Sequence, residues 1–244
     1  MLFRSGIGPA FGSLGALVGL VVLWALVEPG GAPHVGRHSE KQSPFEALKR
    51  ARRPGRIQMA FVAIAFVSAM MASLQLLGPL HLDAEGMSSA WIGWVFTVGS
   101  GLSVIAILIV ARLGRRLDQV RALSLLPAAC GIAVTLLLVP AGVPGYVVLL
   151  LIAMFLASPI FTIAYAACAD GARDEAIGEG GVFGMLNAVW ATGSVLAPVI
   201  AGFASQHGPG WVMYPILGLL SLAILPVLRR SRASIDAGRY DPVR

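Results

Sequence analysis

Charged side chains are scarce in this sequence. Of its 244 residues, 12% are charged and 57% are hydrophobic, and the mean hydropathy is +0.81. A soluble domain carries roughly 25% charged residues, because its surface must be solvated. No Lys, Arg, Asp or Glu occurs between Gln58 and Leu82 or between Ala122 and Ala169. The composition therefore excludes a water-soluble enzyme and a nucleic-acid-binding protein, even though the net charge is +6.

Cysteine is also rare, which limits the covalent and metal chemistry available. Cys130 and Cys168 both lie within apolar stretches, so the sequence predicts neither a disulfide framework nor a Cys-based zinc site. We interpret both as small buried hydrophobic residues. His81, Asp83 and Glu85 alternate along one segment, but nothing nearby completes a metal coordination shell. We therefore predict a solvated loop there, with no metal and no cofactor.

Long apolar stretches are what the sequence has in their place. Seven can be bracketed, at about 9–27, 57–80, 90–111, 122–141, 146–169, 181–204 and 211–228. Each can cross a hydrocarbon layer of ~30 Å as a helix, which satisfies its own backbone hydrogen bonds in lipid. The prediction is an all-α, polytopic membrane protein with seven transmembrane helices. An alternative for the first stretch is a cleaved signal peptide, which the basic residues downstream oppose.

The distribution of basic residues predicts the orientation of these helices. All 18 Lys and Arg residues except Arg4 fall in alternate loops or in the C-terminal tail. Cytoplasmic loops retain Lys and Arg. We therefore predict a multi-pass protein of the cell membrane with its N-terminus outside and its C-terminus in the cytoplasm.

One connection divides the chain into regions. We predict a leading helix at 1–28, a basic cytoplasmic linker at 29–56, a six-helix block at 57–230 and a cytoplasmic tail at 231–244. Within the linker, Ser43, Pro44 and Glu46 form a helix-start pattern. The helix that follows is either interfacial, with its basic cluster at lipid headgroups, or a solvated linker helix.

Two local motifs show a family resemblance. The segment 111–123, Ala-Arg-Leu-Gly-Arg-Arg-Leu-Asp-Gln-Val-Arg-Ala-Leu, is similar to the cytoplasmic G-R-L-x-D-R-x-G-R-R signature of the major facilitator superfamily, although Ala111, Arg115 and Asp118 depart from it. The segment 180–187, followed by Gly193, Pro198 and Gly202, resembles helix 11 of that family. The small residues in this segment, Gly180 and Gly184 among them, permit close helix contact.

The whole layout resembles helix 6, the central cytoplasmic loop and helices 7 to 12 of that twelve-helix family. The resemblance implies transport of a small molecule by alternating access between two six-helix halves, with drug or metabolite efflux as the leading prediction. It also implies that the chain is a truncated or split transporter whose partner, a half carrying helices 1 to 5, is missing from this sequence. It further implies a cytoplasmic gating motif, formed by Arg112, Gly114, Arg116 and Asp118.

Polar residues within the spans are the candidates for substrate contact. Ser158, Thr162 and Tyr165 share one helical face at spacings of four and three. The resemblance implies that the second and fifth spans line the cavity and that the sixth flanks it. The cavity-lining candidates are Gln75, Ser158, Thr162, Tyr165, Asn187 and Trp190. The alternative is that these groups only form hydrogen bonds between helices.

Carboxylates are confined to the loops and span edges. We hypothesise that the acidic cluster of Asp170, Asp174, Glu175 and Glu179 pairs with the basic cluster of Arg112, Arg115 and Arg116. Such pairs would favour one state of the transport cycle.

Other functions of membrane proteins fit the sequence poorly. Intramembrane hydrolysis requires an embedded Ser with His, two Asp residues or a His-rich zinc site, and none of these is present in a span. No catalytic residue is therefore predicted. A retinal protein is excluded because Lys41 and Lys49, the only lysines, both lie in the linker. A seven-helix receptor or sensor, or a nonfunctional remnant, remains the alternative to a transporter.

Overall fold

The structure, a computed structural model, describes residues 55–175, 177–207 and 210–239. Six long helices are present in this part of the chain, and all are long and apolar enough to cross a membrane. They are α1 (Arg56–Ala84), α2 (Ser89–Leu113), α3 (Gln119–Leu136), α4 (Gly142–Asp174), α5 (Glu179–His207) and α6 (Met213–Arg239). The all-α prediction is confirmed for these six. The predicted leading span at 9–27 and the linker helix after Ser43 lie outside the described residues.

The boundaries of α3 and α4 differ from those of the predicted spans. The helix α3 stops at Leu136, five residues before the predicted end, and Gly142 with φ of +66° then turns the chain into α4. The 33 residues of α4 extend about 50 Å at 1.5 Å per residue, which is more than the ~30 Å of a hydrocarbon core. Its last turns, which carry Asp170 and Asp174, can therefore reach the polar headgroup region.

The centre of the bundle is formed by α1 and α4. Protein atoms bury 61% of the apolar window of α1 and 50% of that of α4, against 11% each for α2 and α5. The helix α1 packs on α4, α5 and α6, whereas α2 packs chiefly on α4. Two helices are thus enclosed by protein, and two are edge helices.

Small residues set the closest helix contacts. A side chain at Gly131 of α3 would overlap Ser221 of α6, and one at Gly218 of α6 would overlap Thr135 of α3. These reciprocal contacts define the α3–α6 seam. Gly193 of α5 similarly lies against Ser68 of α1, where a side chain would overlap the serine. This contact agrees with the close helix packing predicted for the small residues of α5.

The first turns of α5 make no such contact with the described residues. No described atom lies within 4 Å of a Cβ built at Gly180 or Gly184. Both glycines are exposed because this part of α5 is at the edge of the bundle. They make room for no neighbour within the six-helix block.

The two ends of the bundle differ in charge. The "basic end" contains the connection at 114–118, the C-terminus of α4 and the C-terminal half of α6. The "opposite end" contains the connections at 85–88 and 137–141 and the start of α6, and it carries no Lys or Arg. The predicted orientation places the basic end in the cytoplasm.

Candidate functional site

A cavity of about 480 Å³ opens between α1, α4 and α5. It lies near the middle of each helix, at Met71, Phe161 and Ser194. Its wall comprises Ser68, Met71, Ala72, Gln75, Leu76, Phe161, Trp190, Ser194 and Pro198. We call this the central cavity.

No charged side chain lines the central cavity among the described residues. Its polar groups are the amide of Gln75, the indole N–H of Trp190 and two serine hydroxyls. The hydroxyl of Ser68 donates to the carbonyl of Ala65 at 3.1 Å. Gln75 is exposed and Trp190 is 44% exposed, and neither has a hydrogen-bond partner in the described part of the chain. The donors of both side chains are therefore available to a ligand.

Tyr165 and Asn187 lie beside the cavity and are already bonded to each other. The hydroxyl of Tyr165 donates to Oδ1 of Asn187, and the ring of Tyr165 stacks on Phe183 with a centroid separation of 5.9 Å. Both residues lie farther toward the basic end than Phe161 and Trp190 do. The pair joins α4 to α5 between the cavity and that end.

Ser158 and Thr162 do not line the cavity, although they were predicted to. Ser158 is 5% exposed and donates to the carbonyl of Met154 at 2.7 Å, within its own helix. Thr162 is half-buried and is not part of the wall. The predicted face of α4 is shared between the cavity and packed neighbours, because α4 is a central helix.

Phe161 forms the cavity wall on α4 and is not among the polar candidates predicted from the sequence. It lies three residues after Ser158 and four before Tyr165, so it shares their helical face. Helical spacing alone was enough to place it there. Its apolar side chain kept it out of a set selected for polarity.

The sequence matches a known protein family over most of its length. The family model described as Major Facilitator Superfamily matches residues 5–181, which is well over half of the chain. The chain belongs to the major facilitator superfamily. No protein of curated function and no solved structure matches it.

Membership in the major facilitator superfamily settles the class of the protein. Its members are membrane transporters of small molecules and are not enzymes. The chain is accordingly a multi-pass membrane protein of a transporter family. The receptor alternative loses its support, since it rested on the helix count and the orientation alone.

The superfamily-like motif after α2 builds a tight turn. Gly114, with φ of +45°, ends α2 in a conformation that favours glycine. Asp118 caps α3 by accepting from the backbone N–H of Arg121 at 3.1 Å, and the side chains of these two residues also form an ion pair. Arg112 and Arg116 are exposed.

The hypothesised pairing of the acidic cluster with Arg112 and Arg116 is not formed among the side chains that the structure describes, which do not include that of Arg115. Arg56, the first residue of α1, contacts Asp170 at 3.3 Å and Asp174 at 3.4 Å at the end of α4. Arg173 contacts Glu179 at 2.9 Å. Arg112 and Arg116 form no ion pair with a described residue. The reason is proximity, because α1 packs along α4 and its N-terminus meets the α4 C-terminus at the basic end.

Proposed function

We propose that this chain transports a small molecule by alternating access and that the central cavity is its part of the substrate site. The observation that carries the proposal is a cavity at mid-height whose described wall is uncharged and in which Gln75 and Trp190 have no hydrogen-bond partner among the described residues. Substrate sites of such transporters lie near the bilayer midplane, between repeats. The block consists of two successive three-helix groups, α1–α3 and α4–α6. The helices around this cavity come from both groups, α1 from the first and α4 and α5 from the second.

The lining indicates the chemistry of the substrate. Two aromatic rings, one amide and two hydroxyls in an otherwise apolar wall suit an uncharged amphipathic molecule. A charged substrate would have no counter-ion among the described lining residues, and an unpaired charge away from water is costly. We therefore propose efflux of a neutral amphipathic drug or metabolite.

A second half completes the site in this proposal. The edge helices α2 and α5 expose large apolar side chains, including Trp91, Trp94, Val195 and Phe203. The central cavity is partly open, and its described walls are α1, α4 and α5. A partner half carrying helices 1 to 5 would close it. Any proton-coupling residue would lie there, because the described cavity wall has no titratable group.

The orientation also belongs to the proposal. We place the basic end in the cytoplasm, because Lys and Arg are retained on that side. Impermeant thiol reagents would test this with single cysteines introduced at Ser88 and at Arg116. Labelling of intact cells at Ser88→Cys but not at Arg116→Cys is expected, and the reverse pattern would contradict the orientation.

Transport assays would test the role of the cavity. Cells that express the chain together with a candidate partner half would be loaded with a panel of neutral fluorescent amphiphiles, and efflux would be followed. Gln75→Ala and Trp190→Ala are expected to reduce efflux at least ten-fold when combined, since each removes a ligand contact worth ~1 kcal/mol or more.

Leu125→Ala is the matched control for these variants. Leu125 is on α3, which neither lines the central cavity nor belongs to the edge helices proposed to meet the partner half, and it is 66% exposed. Its replacement should leave efflux unchanged at equal membrane expression. Efflux that survives loss of both Gln75 and Trp190 would show that the central cavity is not the substrate site.

A further inference from the structure

A second and larger cavity, of about 840 Å³, lies at the opposite end of the bundle. We call it the end cavity. It is formed by the C-termini of α1 and α5, the connection at 137–141 and the N-termini of α4 and α6. No residue lines both this cavity and the central cavity. The proposed transport function leaves the end cavity without a role.

Aromatic side chains from three helices build its wall. The hydroxyls of Tyr146 on α4 and Tyr214 on α6 are hydrogen-bonded at 2.7 Å, and each residue is 4% exposed. The imidazole of His81 on α1 lies against the ring of Tyr146, with centroids 4.2 Å apart. Trp211, which is 56% exposed, adds a large ring at the rim. The buried rings are fixed by packing, so a ligand would not have to order them.

His81 does not belong to a solvated loop, contrary to the prediction from sequence. It lies in the last turn of α1, is half-buried and contacts Tyr146. The helix α1 continues to Ala84 and so carries His81 into the bundle. Asp83 also lies in α1 and not in a loop, although it is exposed, whereas Glu85 follows the helix and is exposed as that prediction expected.

The formal charge of the end cavity is negative. Glu85 lines it, and no Lys or Arg is present among its described lining residues. Glu85 forms no ion pair with a described residue. The exposed ring of Trp211 also attracts cations through its quadrupole. Carboxylate and ring thus favour the same kind of ligand.

We propose that the end cavity binds an organic cation with an apolar body. Its volume falls in the range of sites for drug-sized ligands, ~300–1,000 Å³, and its wall is mostly apolar with a few polar groups, as in such sites. The cationic centre lies against the ring of Trp211 near Glu85, and the apolar body contacts Leu80, Leu138 and Val139. This site is separate from the proposed substrate site at mid-height.

Two probes of equal shape and opposite charge test the proposal. Radiolabelled tetraphenylphosphonium and tetraphenylborate would be bound to the purified full chain in uncharged detergent micelles, and the saturable component would be measured by equilibrium dialysis. Saturable binding of the phosphonium cation is expected, with no saturable binding of the borate anion. Affinity for the cation should fall as salt is added, because the charges near the rim are screened.

Variants assign the binding to the end cavity. Glu85→Gln should weaken cation binding by about five-fold, as for the loss of one partly solvated charge contact. Trp211→Leu should weaken it by a similar factor, and Trp211→Phe should restore most of the loss because the ring face returns. Both positions are exposed, and gel filtration would verify that each variant stays folded.

The double variant Gln75→Ala/Trp190→Ala is the control for the other cavity, and it should bind the cation as the original chain does. A loss of cation binding in that variant, with Glu85→Gln unaffected, would place the ligand in the central cavity and overturn the proposal. Equal saturable binding of both probes would indicate an apolar filling such as a lipid chain and would also overturn it. Absence of saturable cation binding would do the same. None of these outcomes depends on whether the chain transports a neutral amphiphile.

Discussion

The helices α1 and α2 are similarly apolar, yet their surroundings differ greatly. Protein buries 61% of the apolar window of α1 and 11% of that of α2. In water, hydrophobicity would decide how much of each helix is buried. In a bilayer it does not, because lipid tails are as apolar as leucine and an apolar helix can face either protein or lipid. The comparison teaches that shape and polar contacts decide which helix is central here. The central pair, α1 and α4, should be sensitive to changes that the edge helices α2 and α5 tolerate.

The largest expected contrast comes from adding the same side chain to a central and an edge helix. A Cβ at Gly171 of α4 would lie 2.8 Å from Cγ1 of Ile57 on α1, whereas one at Gly184 of α5 meets no described atom within 4 Å. Gly171→Leu should lower the free energy of unfolding by ~3 kcal/mol through overpacking. Gly184→Leu should change it by less than ~0.5 kcal/mol.

Thermal unfolding with a thiol-reactive fluorescent dye measures this contrast. Cys130 and Cys168 are both fully buried and become reactive only when the bundle opens. Equal melting shifts for the two variants would contradict the division into central and edge helices.

A smaller contrast is expected from charges at the basic end. Arg56→Gln removes both contacts with Asp170 and Asp174 and should lower the free energy of unfolding by ~1 kcal/mol, since the Arg56 side chain is 23% exposed. Arg112→Gln on α2 removes an exposed charge with no described ion-pair partner and should have no measurable effect.

The same dye assay at low and high salt distinguishes these two arginine variants. The deficit of Arg56→Gln should shrink at 1 M salt, where the screening length is ~3 Å. A deficit that does not depend on salt would mean that Arg56 acts through packing of its alkyl chain instead.

The smallest effect is expected at Ser73 of α1, and its sign is the informative part. The hydroxyl of Ser73 is buried without a partner among the described residues. Ser73→Ala should therefore raise the free energy of unfolding, by up to ~1 kcal/mol. Ser100→Ala on α2 is the control, because that hydroxyl is exposed and bonds to the carbonyl of Phe96. Destabilisation by Ser73→Ala would indicate a hydrogen-bond partner that the described residues do not include.

The sequence predicted the spans better than their arrangement, and the reason is physical. An uncharged run such as 59–81 can only be stable in lipid as a helix, so its existence follows from composition. Whether that helix faces protein or lipid does not, because both surroundings are apolar. The exposed Gly180 and Gly184 show the limit, since a small-residue pattern is compatible with a contact that the six-helix block does not make.

The two cavities also differ in how far their residues could be predicted from the sequence. Gln75 and Trp190 could be predicted for the central cavity, because a polar or amphipathic residue in mid-span needs a reason to be there. The end cavity joins His81, Tyr146 and Tyr214, which are far apart in sequence and lie near span ends, where aromatic residues are common. Only the packing of α1, α4 and α6 brings these rings together.

The α3–α6 seam has a consequence for how the protein is made. Thr135 donates to the carbonyl of Gly131 in its own helix at 2.8 Å, and Ser221 donates to that of Gly218 at 2.7 Å. Each helix thus satisfies its hydroxyl by itself, and the seam needs no hydrogen bond across it. During synthesis α3 enters the membrane well before α6, and it is stable there by itself because the hydroxyl of Thr135 is already bonded within the helix. When α6 arrives, the two glycines let the backbones close together without breaking any bond formed during insertion.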